Sequence, residues 1–453
     1  MTRDGVEKKP ASYDTAARII SRLHTAGYEA YLVGGCVRDS LRGVEPLDYD
    51  IVTSARPEDV CALFSHTVPV GASFGVVLVV EEDHAYEVAT FRTEGEYADG
   101  RRPTQVAFAT VEEDVLRRDF TINALLLDTK TGNVIDYVDG RKDLDNRIIR
   151  TIGDPEKRFS EDYLRMLRAV RFSANLDFSI DSNAVAAIRN HASAIHRISA
   201  ERIRDELTKM LTHGGPRRGF EILAGTGLLK QILPEVDALR GVEQPARFHP
   251  EGDVWEHVLR MLALLPSDAS IGNDGRLAWA IVMHDIGKAS TRSEDASGVH
   301  FYGHVREGER IAGEIMQRLR FTRDDAETII ALIHCHMLFM NVMEMRPNRL
   351  KRFLRMPDFG LHLELHRLDC LGSHGLLDSH DFCKNKLVEL AQEELNPPRL
   401  LCGRDLIDMG LSPGPLFSEI LRAVEDAQLD GHISTADEAR RMVMEQWGNR
   451  FPH

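Results

Sequence analysis

The sequence is poor in cysteine and lacks any Cys-x-x-Cys pair, because its six cysteines are scattered over 453 residues. Such spacing is typical of free thiols in a reducing compartment. The chain also shows no apolar run of membrane-spanning length, and the segment from Met1 to Lys9 lacks the apolar core of a signal peptide. We therefore expect a cytoplasmic protein without a membrane partner.

Positive charge is in deficit, since 56 Lys and Arg face 71 Asp and Glu, a formal net charge of −15. A protein that coats nucleic acid indiscriminately needs a positive surface, so this class is disfavoured. Residues 147–218, however, carry 14 Lys or Arg against 9 Asp or Glu. A nucleic acid could bind to a local basic surface there, although solvated arginines on ordinary helices would give the same composition.

The chain is predicted to be an α+β protein of several domains. Residues 17–145 alternate short helices with β-rich runs, which predicts a head domain built around one mixed sheet. Apolar residues at helical spacing then predict all-α segments at 146–235, 236–396 and 397–453. The polar segment from Thr93 to Gln105 is predicted to be a mobile loop. The β-rich runs are Tyr31 to Gly34, Tyr49 to Thr53, Gly75 to Val80, Tyr86 to Phe91 and Ala124 to Leu127.

Asp48 and Asp50 are one residue apart at the start of a β-rich run. Side chains at i and i+2 of a strand lie on one face, so both carboxylates can bind the same hard cation. Upstream, Gly34-Gly35-x-x-Arg38-Asp39 predicts a strand that turns through small residues into a helix, whose backbone N–H groups favour a phosphate. A triphosphate held there would lie beside the metal, as nucleotidyl transfer requires. A hairpin with two solvated acids is the competing explanation.

A second basic element, Arg117-Arg118, precedes the last β-rich run. A bound triphosphate needs cations in addition to a metal, and Arg118 is the predicted ligand. A simple basic corner would have the same sequence.

Asp162 and Arg165 lie three residues apart in a predicted helix from Glu161 to Phe172, and can act as one rigid pair. Cytosine and adenine offer an amino donor beside a ring-nitrogen acceptor, whereas uracil and guanine present a carbonyl at that place. An aspartate that accepts and an arginine that donates would therefore select C or A. Arg168 and Arg171 could then reach the phosphates or the RNA. An ordinary surface salt bridge remains the alternative.

The downstream half is rich in histidine. His257, the run His284-Asp285-Ile286-Gly287-Lys288 and a later Asp369 resemble the HD phosphohydrolase pattern. Imidazoles and carboxylates on successive helices can hold a divalent transition metal. A second ion could be bound by further histidines, and the pattern predicts a second hydrolytic site. The candidates for that second ion are His304, His334 and His336.

Taken together, the amino-terminal motifs resemble the tRNA nucleotidyltransferase and bacterial poly(A) polymerase family, the class II branch of the polymerase-beta-like nucleotidyltransferases. The resemblance covers residues 17 to 235, about half of the chain, and the motifs occur in the family's order. They are Gly34-Gly35-x-x-Arg38-Asp39, Asp48-x-Asp50, Arg117-Arg118-Asp119, Glu161-Asp162-x-x-Arg165 and Glu201-Arg202-Ile203-Arg204-Asp205-Glu206-Leu207.

The resemblance implies a polymerase-beta-like head, followed by a helical neck and body that selects the nucleotide and binds RNA, an HD domain and a helical tail. It further implies that Asp48 and Asp50 bind magnesium as the catalytic residues, and that Gly35, Arg38 and Arg118 contact the triphosphate. The reaction would be attack of a tRNA 3′ hydroxyl on the α-phosphate of CTP or ATP, with pyrophosphate leaving.

Within the nucleotide pocket, the resemblance implies that Asp162 and Arg165 read the base and that Arg168 and Arg171 complete the site. The Glu201-Arg202 pair would brace the helix that carries them. Some members of the family also carry an HD domain with phosphatase or cyclic phosphodiesterase activity.

Several alternatives stay open at this point. Asp99-Gly100-Arg101-Arg102 resembles the flexible-loop element that favours CCA addition, without excluding A-only addition, CC-only addition or polyadenylation. Glu87 is either a third metal-binding carboxylate or a plain strand residue. From other classes, the chain could be an HD hydrolase whose amino-terminal half senses nucleotides, or a non-catalytic RNA-binding protein.

Overall fold

The computed structural model describes residues 12–69, 75–94, 106–245, 247, 249–266, 274–390 and 395–450. The chain divides into two compact units. The first extends to Asp237 and includes Arg318–Arg320, and the second comprises the rest of the chain from Ala238. The four predicted domain boundaries themselves stay predictions.

A seven-stranded mixed sheet forms the centre of the first unit. The strands before the helical part of the chain are β1 (Ala30–Val33), β2 (Asp50–Thr53), β3 (Thr67–Val68), β4 (Val76–Glu81), β5 (His84–Thr90), β6 (Arg92–Glu94), β7 (Val106–Phe108), β8 (Leu126–Leu127) and β9 (Val134–Ile135). The sheet order is β3-β4-β5-β2-β1-β8-β9. The pair β2 and β5 is parallel, and the other neighbours are antiparallel. The predicted α+β head with a mixed sheet is therefore confirmed.

The central strands form because apolar side chains alternate along them and cover one face of the sheet. In β5, for example, Tyr86, Val88 and Thr90 are buried while Ala85 and Glu87 are exposed. The opposite face of the sheet also packs into a core, since Val52 of β2 pairs with Ala89 of β5, which lies on the other face from Val88. That core comprises Val33, Val52, Phe91, Val115, Ala124, Leu126 and Ile152.

The first two residues of the predicted loop from Thr93 to Gln105, Thr93 and Glu94, belong instead to strand β6. Strand β6 pairs antiparallel with β7, and Thr93 lies opposite Ala107. The element Asp99-Gly100-Arg101-Arg102 lies outside the described residues.

Helices account for the rest of the first unit. They are α1 (Tyr13–Thr25), α2 (Gly35–Leu41), α3 (Pro57–Leu63), α4 (Val111–Leu116), α5 (Gly140–Asp145), α6 (Pro155–Glu161), α7 (Leu164–Leu176), α8 (Ser182–His191), α9 (Ala200–Thr212), α10 (Pro216–Thr226), α11 (Leu228–Ile232) and α12 (Pro234–Asp237). Two short parallel strands, β10 (Ile148–Ile149) and β11 (Ser179–Ile180), pair between them.

The prediction of one helix from Glu161 to Phe172 was wrong. Helix α6 ends at Glu161, Asp162 is extended with φ −145° and ψ 104°, and α7 begins at Leu164. The Asp162 side chain causes the break, because its Oδ1 accepts a hydrogen bond of 3.0 Å from the backbone N–H of Leu164. Short polar side chains commonly compete with helical hydrogen bonds in this way.

Among the residues that the structure describes, the second unit is mostly helical, with one hairpin of β12 (Ser293–Asp295) and β13 (Gly298–His300) and an isolated bridge between Glu243 and Asp253. Its tail has a core of its own, in which Leu406, Ile420 and Val443 are buried. The helices are α13 (Val254–Ala263), α14 (Gly275–Met283), α15 (Lys288–Thr291), α16 (His304–Arg318), α17 (Arg323–Cys335), α18 (Pro347–Leu354), α19 (Phe359–Gly372), α20 (Asp378–Glu389), α21 (Gly403–Asp408), α22 (Pro415–Leu429) and α23 (Ala436–Trp447).

One helical stretch, Arg323–Glu344, is long and apolar enough to cross a membrane by length and composition alone. This corrects the expectation that no apolar run reaches that length. The stretch is not one continuous helix, because α17 ends at Cys335 and a 3-10 helix with a non-helical Asn341 follows. His336, within this stretch, is a buried polar residue.

Candidate active site and a second histidine cluster

Asp50 begins strand β2, and Asp48 lies just before it. In the sheet, Val33 of β1 lies opposite Asp50. Ile51 lies opposite Val88 of the parallel strand β5, so Glu87 is the neighbour of Asp50 on the other side. Glu87, whose role the sequence left open, thus lies next to the predicted metal ligand Asp50.

The carboxylates are close enough to perturb one another. Burial, followed by the charges of Asp48 and Glu87, raises the pKa of Asp50 to about 7, while Arg118 acts in the opposite direction. Like charges that crowd one another disfavour ionisation unless a cation is bound between them. A set of carboxylate oxygens of this kind fits a hard divalent cation.

The glycine turn lies directly beside these carboxylates. Gly34 has φ +81°, in the left-handed region that favours glycine, and a Cβ built there would lie 3.7 Å from Asp50 Oδ2. Helix α2 begins at Gly35. The side chain of Arg38 points back toward the start of this helix, because a Cβ built on Gly35 would lie 3.7 Å from Arg38 Nη2. The sequence-predicted phosphate and metal ligands are therefore adjacent.

Arg38 is buried and rigidly held. Its Nε and Nη2 donate to the two carboxylate oxygens of Asp39 at 2.9 and 2.7 Å, and its Nη1 donates to Asn123 Oδ1 at 2.8 Å. Sequence reasoning missed Asn123, which follows Arg117-Arg118-Asp119 on a short 3-10 helix.

Arg118 approaches the site from the end of α4. Its Nη2 lies 3.1 Å from Asp114 Oδ2, and its buried Nε makes no hydrogen bond. Its influence on the pKa of Asp50 places its charge near the carboxylates. Asp114 itself was not identified from sequence, although it lies four residues before Arg118 on the same helical turn.

Asp162 and Arg165 do not form the direct pair that was expected. Asp162 Oδ2 accepts a 3.0 Å hydrogen bond from Arg202 Nη2, while Arg165 Nη1 donates to Glu161 Oε2 at 2.8 Å. The break between α6 and α7 separates the two side chains. Each is therefore held by a different partner, and Arg202 contacts Asp162 directly.

Arg168 and Arg171 follow on α7 and are anchored by buried acids. Arg168 Nε donates to Asp119 Oδ2 at 2.8 Å, and Arg171 Nε donates to Glu206 Oε2 at 2.6 Å. Burial and the neighbouring Arg168 lower the pKa of Arg171, although Glu206 opposes them. Arg168 and Arg171 are linked through Glu206, since Arg168 Nη1 also lies 3.9 Å from Glu206 Oε1.

The predicted HD residues come together in the second unit. His257 Nε2 lies 3.1 Å from Asp369 Oδ1, and His284 Nε2 lies 3.2 Å from Asp285 Oδ2. The His257 and His284 rings are 5.4 Å apart. His257, His284 and Asp369 form one group able to hold a metal ion.

Two further histidines form a second such group with Asp285. His304 Nε2 and His336 Nε2 lie 3.7 and 3.8 Å from Asp285 Oδ1. The prediction that His334 could join them was wrong. Its side chain is 62% exposed and contacts Glu309 instead.

The ring orientations in this cluster fit metal binding. The Nδ1 atoms of three histidines contact backbone carbonyl oxygens, at Ile281 for His284, Phe301 for His304 and Ile333 for His336. Their buried Nε2 atoms, and that of His257, make no well-aligned hydrogen bond among the described residues, although those of His257 and His284 lie 3.1 and 3.2 Å from the carboxylates of Asp369 and Asp285. A carbonyl partner fixes the Nδ1–H tautomer and leaves the Nε2 lone pair free for a metal.

Two further residues contact this cluster: Glu251, which sequence reasoning missed, and Lys288, which it placed in the motif without a role. Buried Glu251 Oε1 lies 2.8 Å from His257 Nδ1, and Lys288 Nζ lies 2.7 Å from Asp285 Oδ2. Burial disfavours the charged imidazole of His257, but the carboxylates of Asp369 and Glu251 outweigh it and raise the pKa to about 9. Burial and His284 lower the pKa of His336 to about 4.

Comparison with known proteins identifies three domain families in this chain. Residues 30–150 match the model described as "Poly A polymerase head domain". Residues 177–239 match "Probable RNA and SrmB- binding site of polymerase A", and residues 254–358 match "HD domain".

Curated relatives extend the similarity to the whole chain. A CCA-adding enzyme from Streptococcus gordonii is 32% identical over 437 residues, which cover 96% of this chain and 97% of that protein. The chain belongs to the CCA-adding enzyme family. This confirms the resemblance inferred from the five amino-terminal motifs, and membership of a nucleotidyltransferase family implies a divalent metal.

Two other similar proteins match this chain over about half of its length and over nearly all of it. The CCA-adding enzyme of Limosilactobacillus reuteri is 46% identical, but the match covers only 49% of this chain and 55% of that enzyme. Among solved structures, the Bacillus stearothermophilus CCA-adding enzyme in complex with CTP has a TM-score of 0.71 and 30% identity, covering 98% of this chain and 99% of that one.

Proposed function

We propose that this chain adds CCA to the 3′ ends of tRNA from CTP and ATP and releases pyrophosphate. The observation that carries the proposal is the convergence of Asp48, Asp50 and Glu87 beside the Gly34 turn and Arg38. The similar Bacillus stearothermophilus enzyme, in complex with CTP, supports a nucleotide as the ligand of this pocket.

The chain's own residues supply binding and orientation for the transfer. Asp48 and Asp50 hold the cations, with Glu87 as the neighbouring carboxylate, and Arg38 and Arg118 hold the triphosphate so that the α-phosphate faces the RNA hydroxyl. Magnesium is the proposed metal, because the ligands are all hard oxygens. When bound, it would lower the pKa of the attacking hydroxyl and neutralise charge on phosphorus.

The α6–α7 break presents the base-reading groups. Asp162 accepts from the exocyclic amino group of cytosine or adenine, and Arg165 donates to the ring nitrogen beside it. Their present partners, Arg202 and Glu161, keep both side chains in place before a nucleotide arrives. Gly35 leaves space for the triphosphate, and Arg168 and Arg171 complete the pocket. Because the proposed substrate is tRNA, we also propose a cytoplasmic location.

Incorporation of labelled CTP and ATP into tRNA that lacks its 3′ end tests this function. Sequencing of the product ends after CTP alone, ATP alone and both nucleotides distinguishes CCA addition from A-only, CC-only and poly(A) addition. We expect CC with CTP alone and CCA with both. A chain that only senses nucleotides would incorporate neither.

Asp48→Ala and Asp50→Ala variants provide the matched test of the site. We expect at least a thousandfold loss of addition with unchanged tRNA binding, because one metal ligand is removed while the RNA surface remains. Arg141→Ala is a suitable control, since Arg141 is exposed on α5 and belongs to none of the described ion pairs. Full activity of either aspartate variant would contradict the assignment.

We also propose a metal-dependent phosphohydrolase activity for the second unit. The four buried Nε2 atoms of His257, His284, His304 and His336, which make no well-aligned hydrogen bond among the described residues, favour this second function. Imidazole and carboxylate ligands suit a divalent transition metal, with Asp285 and Asp369 as the acids. Release of phosphate from a phosphomonoester, with and without added manganese or nickel, tests it.

A further inference from the structure

The ring of Phe172 lies at the centre of the arginines proposed to bind the nucleotide. The Cζ atoms of Arg171, Arg168 and Arg38 are 4.2, 5.2 and 5.6 Å from its centroid. Phe172 is half-buried, and its ring meets fully buried Phe120 edge-on at 5.8 Å. Three guanidiniums from two helices thus surround one aromatic ring whose own position is fixed by the core.

These arginines come from the two sides of the pocket. Arg38 belongs to α2, beside the metal-binding carboxylates, whereas Arg168 and Arg171 belong to α7, which also carries Arg165. Each guanidinium has a carboxylate partner, but no one carboxylate joins Arg38 to the α7 pair. The partners are Asp39 for Arg38, Asp119 for Arg168 and Glu206 for Arg171. Phe172 is the described side chain that contacts all three cations.

An aromatic face attracts cations through its negative quadrupole, and does so more strongly when water is excluded. Like charges brought together without such a group would repel one another, and after burial, the largest cause, the nearby charge of Arg168 also lowers the pKa of Arg171. Beside the carboxylate partners, a ring between the guanidiniums offsets part of that repulsion without adding a further negative charge.

We propose that Phe172 is a positioning residue for nucleotide binding. Its ring holds Arg38, on the triphosphate side, at a fixed separation from Arg168 and Arg171, on the base side, by cation–π attraction. This inference rests on the proposed nucleotidyl transfer and deepens it. It predicts that weakening the ring quadrupole weakens nucleotide binding, even when the shape of the side chain is kept.

The test replaces Phe172 in the full chain with phenylalanine carrying one, two or three ring fluorines, which progressively removes the quadrupole at nearly constant shape. We expect KM for both CTP and ATP to rise stepwise, by roughly tenfold at three fluorines, because the cation–π attraction weakens as the ring quadrupole is removed. The kcat at saturating nucleotide and the thermal midpoint should stay unchanged. Phe172→Leu should raise KM further, and Phe172→Tyr should restore it.

Phe64 provides a matched control, because it is a buried phenylalanine of the same unit with the guanidinium of Arg22 4.9 Å from its centroid. The same fluorine series at Phe64 should leave KM unchanged. Inhibition by inorganic tripolyphosphate separates arginine positioning from stacking of the base on Phe172. We expect its inhibition constant to rise in parallel with KM.

An unchanged tripolyphosphate constant, or a KM that does not follow fluorine content, overturns the proposal. Parallel loss of the thermal midpoint would also overturn it, since that result assigns Phe172 to packing alone. Failure of the unsubstituted chain to incorporate CTP and ATP would instead reject the proposed function, so the two failures are distinguishable.

Discussion

At the scale of single residues, the site is defined by acids placed where their charges conflict. Asp50 lies between β1 and β5 with Asp48 and Glu87 beside it, and burial adds to their effect on its pKa. Such an arrangement costs free energy in the metal-free chain and is relieved when a cation binds. The consequence is that protons and metal compete for Asp50.

This competition predicts how metal affinity depends on pH. The pKa of Asp50 is raised to about 7, so the protonated form, which cannot ligate, predominates below pH 7. Magnesium affinity should therefore fall by about tenfold per pH unit as the pH drops below 7, and should level off above it. Isothermal titration calorimetry in buffers of different ionisation enthalpy would measure both the affinity and the released proton.

The Glu87→Gln variant is the control for that experiment. Removing one acidic neighbour should lower the pKa of Asp50 and move the midpoint of the affinity profile to lower pH. A profile that is flat between pH 6 and 8 would show that Asp50 is ionised throughout.

A second residue-scale prediction concerns the choice of base. Asp162→Asn replaces one acceptor by an amide that can also donate, so a carbonyl of uracil becomes an acceptable partner. We expect the ratio of kcat/KM for CTP over UTP to fall by about tenfold, since a good bidentate contact contributes about 1 to 3 kcal/mol to discrimination. Steady-state kinetics with each nucleotide would measure it, and Asp205→Asn, on an exposed carboxylate, is the control. An unchanged ratio would remove Asp162 from the base-reading role.

At the scale of elements, alternation and helical spacing located most of the structure. The runs Tyr86 to Phe91 and Tyr49 to Thr53 became β5 and β2 to within two residues, because burial alternates along β5 and β2 is a short apolar run buried on both faces. The break at Asp162 could not be read from the same periodicity. Apolar spacing continues across it, and the deciding contact is a single hydrogen bond from the Leu164 backbone.

The histidine cluster shows the same limit of sequence reasoning. The spacing of His257, His284-Asp285 and Asp369 was sufficient to predict that they meet. It could not predict that Nδ1 of His284 would contact the Ile281 carbonyl, or that Glu251 would orient His257, because these depend on the path of the backbone.

An ionic contact joins two helices of the second unit and allows a stability prediction. Arg352 and Arg355, at the end of α18, both contact Glu425 of α22, and Arg352 also lies 2.7 Å from Asp426. Glu425→Gln should lower the free energy of unfolding by about 1 kcal/mol, because a half-buried network loses its shared anion. Denaturant unfolding would measure this, with a smaller effect at high salt.

Glu327→Gln is the matched control for the ionic contact. Among the described residues Glu327 pairs with the highly exposed Arg323 on α17, and its loss should change stability by a few tenths of a kcal/mol at most. Equal effects of the two substitutions would mean that the Glu425 network contributes no more than an exposed pair.

At the scale of the whole molecule, each compact unit carries one candidate site with a different set of ligands. Carboxylate oxygens predominate around Asp50 in the first unit, and imidazole nitrogens around Asp285 in the second. Hard oxygen ligands favour magnesium, whereas imidazole ligands bind transition metals far more tightly. The two activities should therefore differ in their metal requirement as well as in their residues.

This difference allows the two sites to be separated in one full-length chain. After removal of metals with a chelator, magnesium alone should restore nucleotide addition, while phosphatase activity should need manganese, nickel or cobalt. His284→Ala with Asp285→Ala should abolish phosphatase activity and leave addition within about twofold of the unsubstituted chain, because neither residue lies in the first unit. Asp48→Ala should do the reverse. Loss of both activities in either variant would contradict independent sites, and a thermal midpoint measured for each variant would separate that result from unfolding.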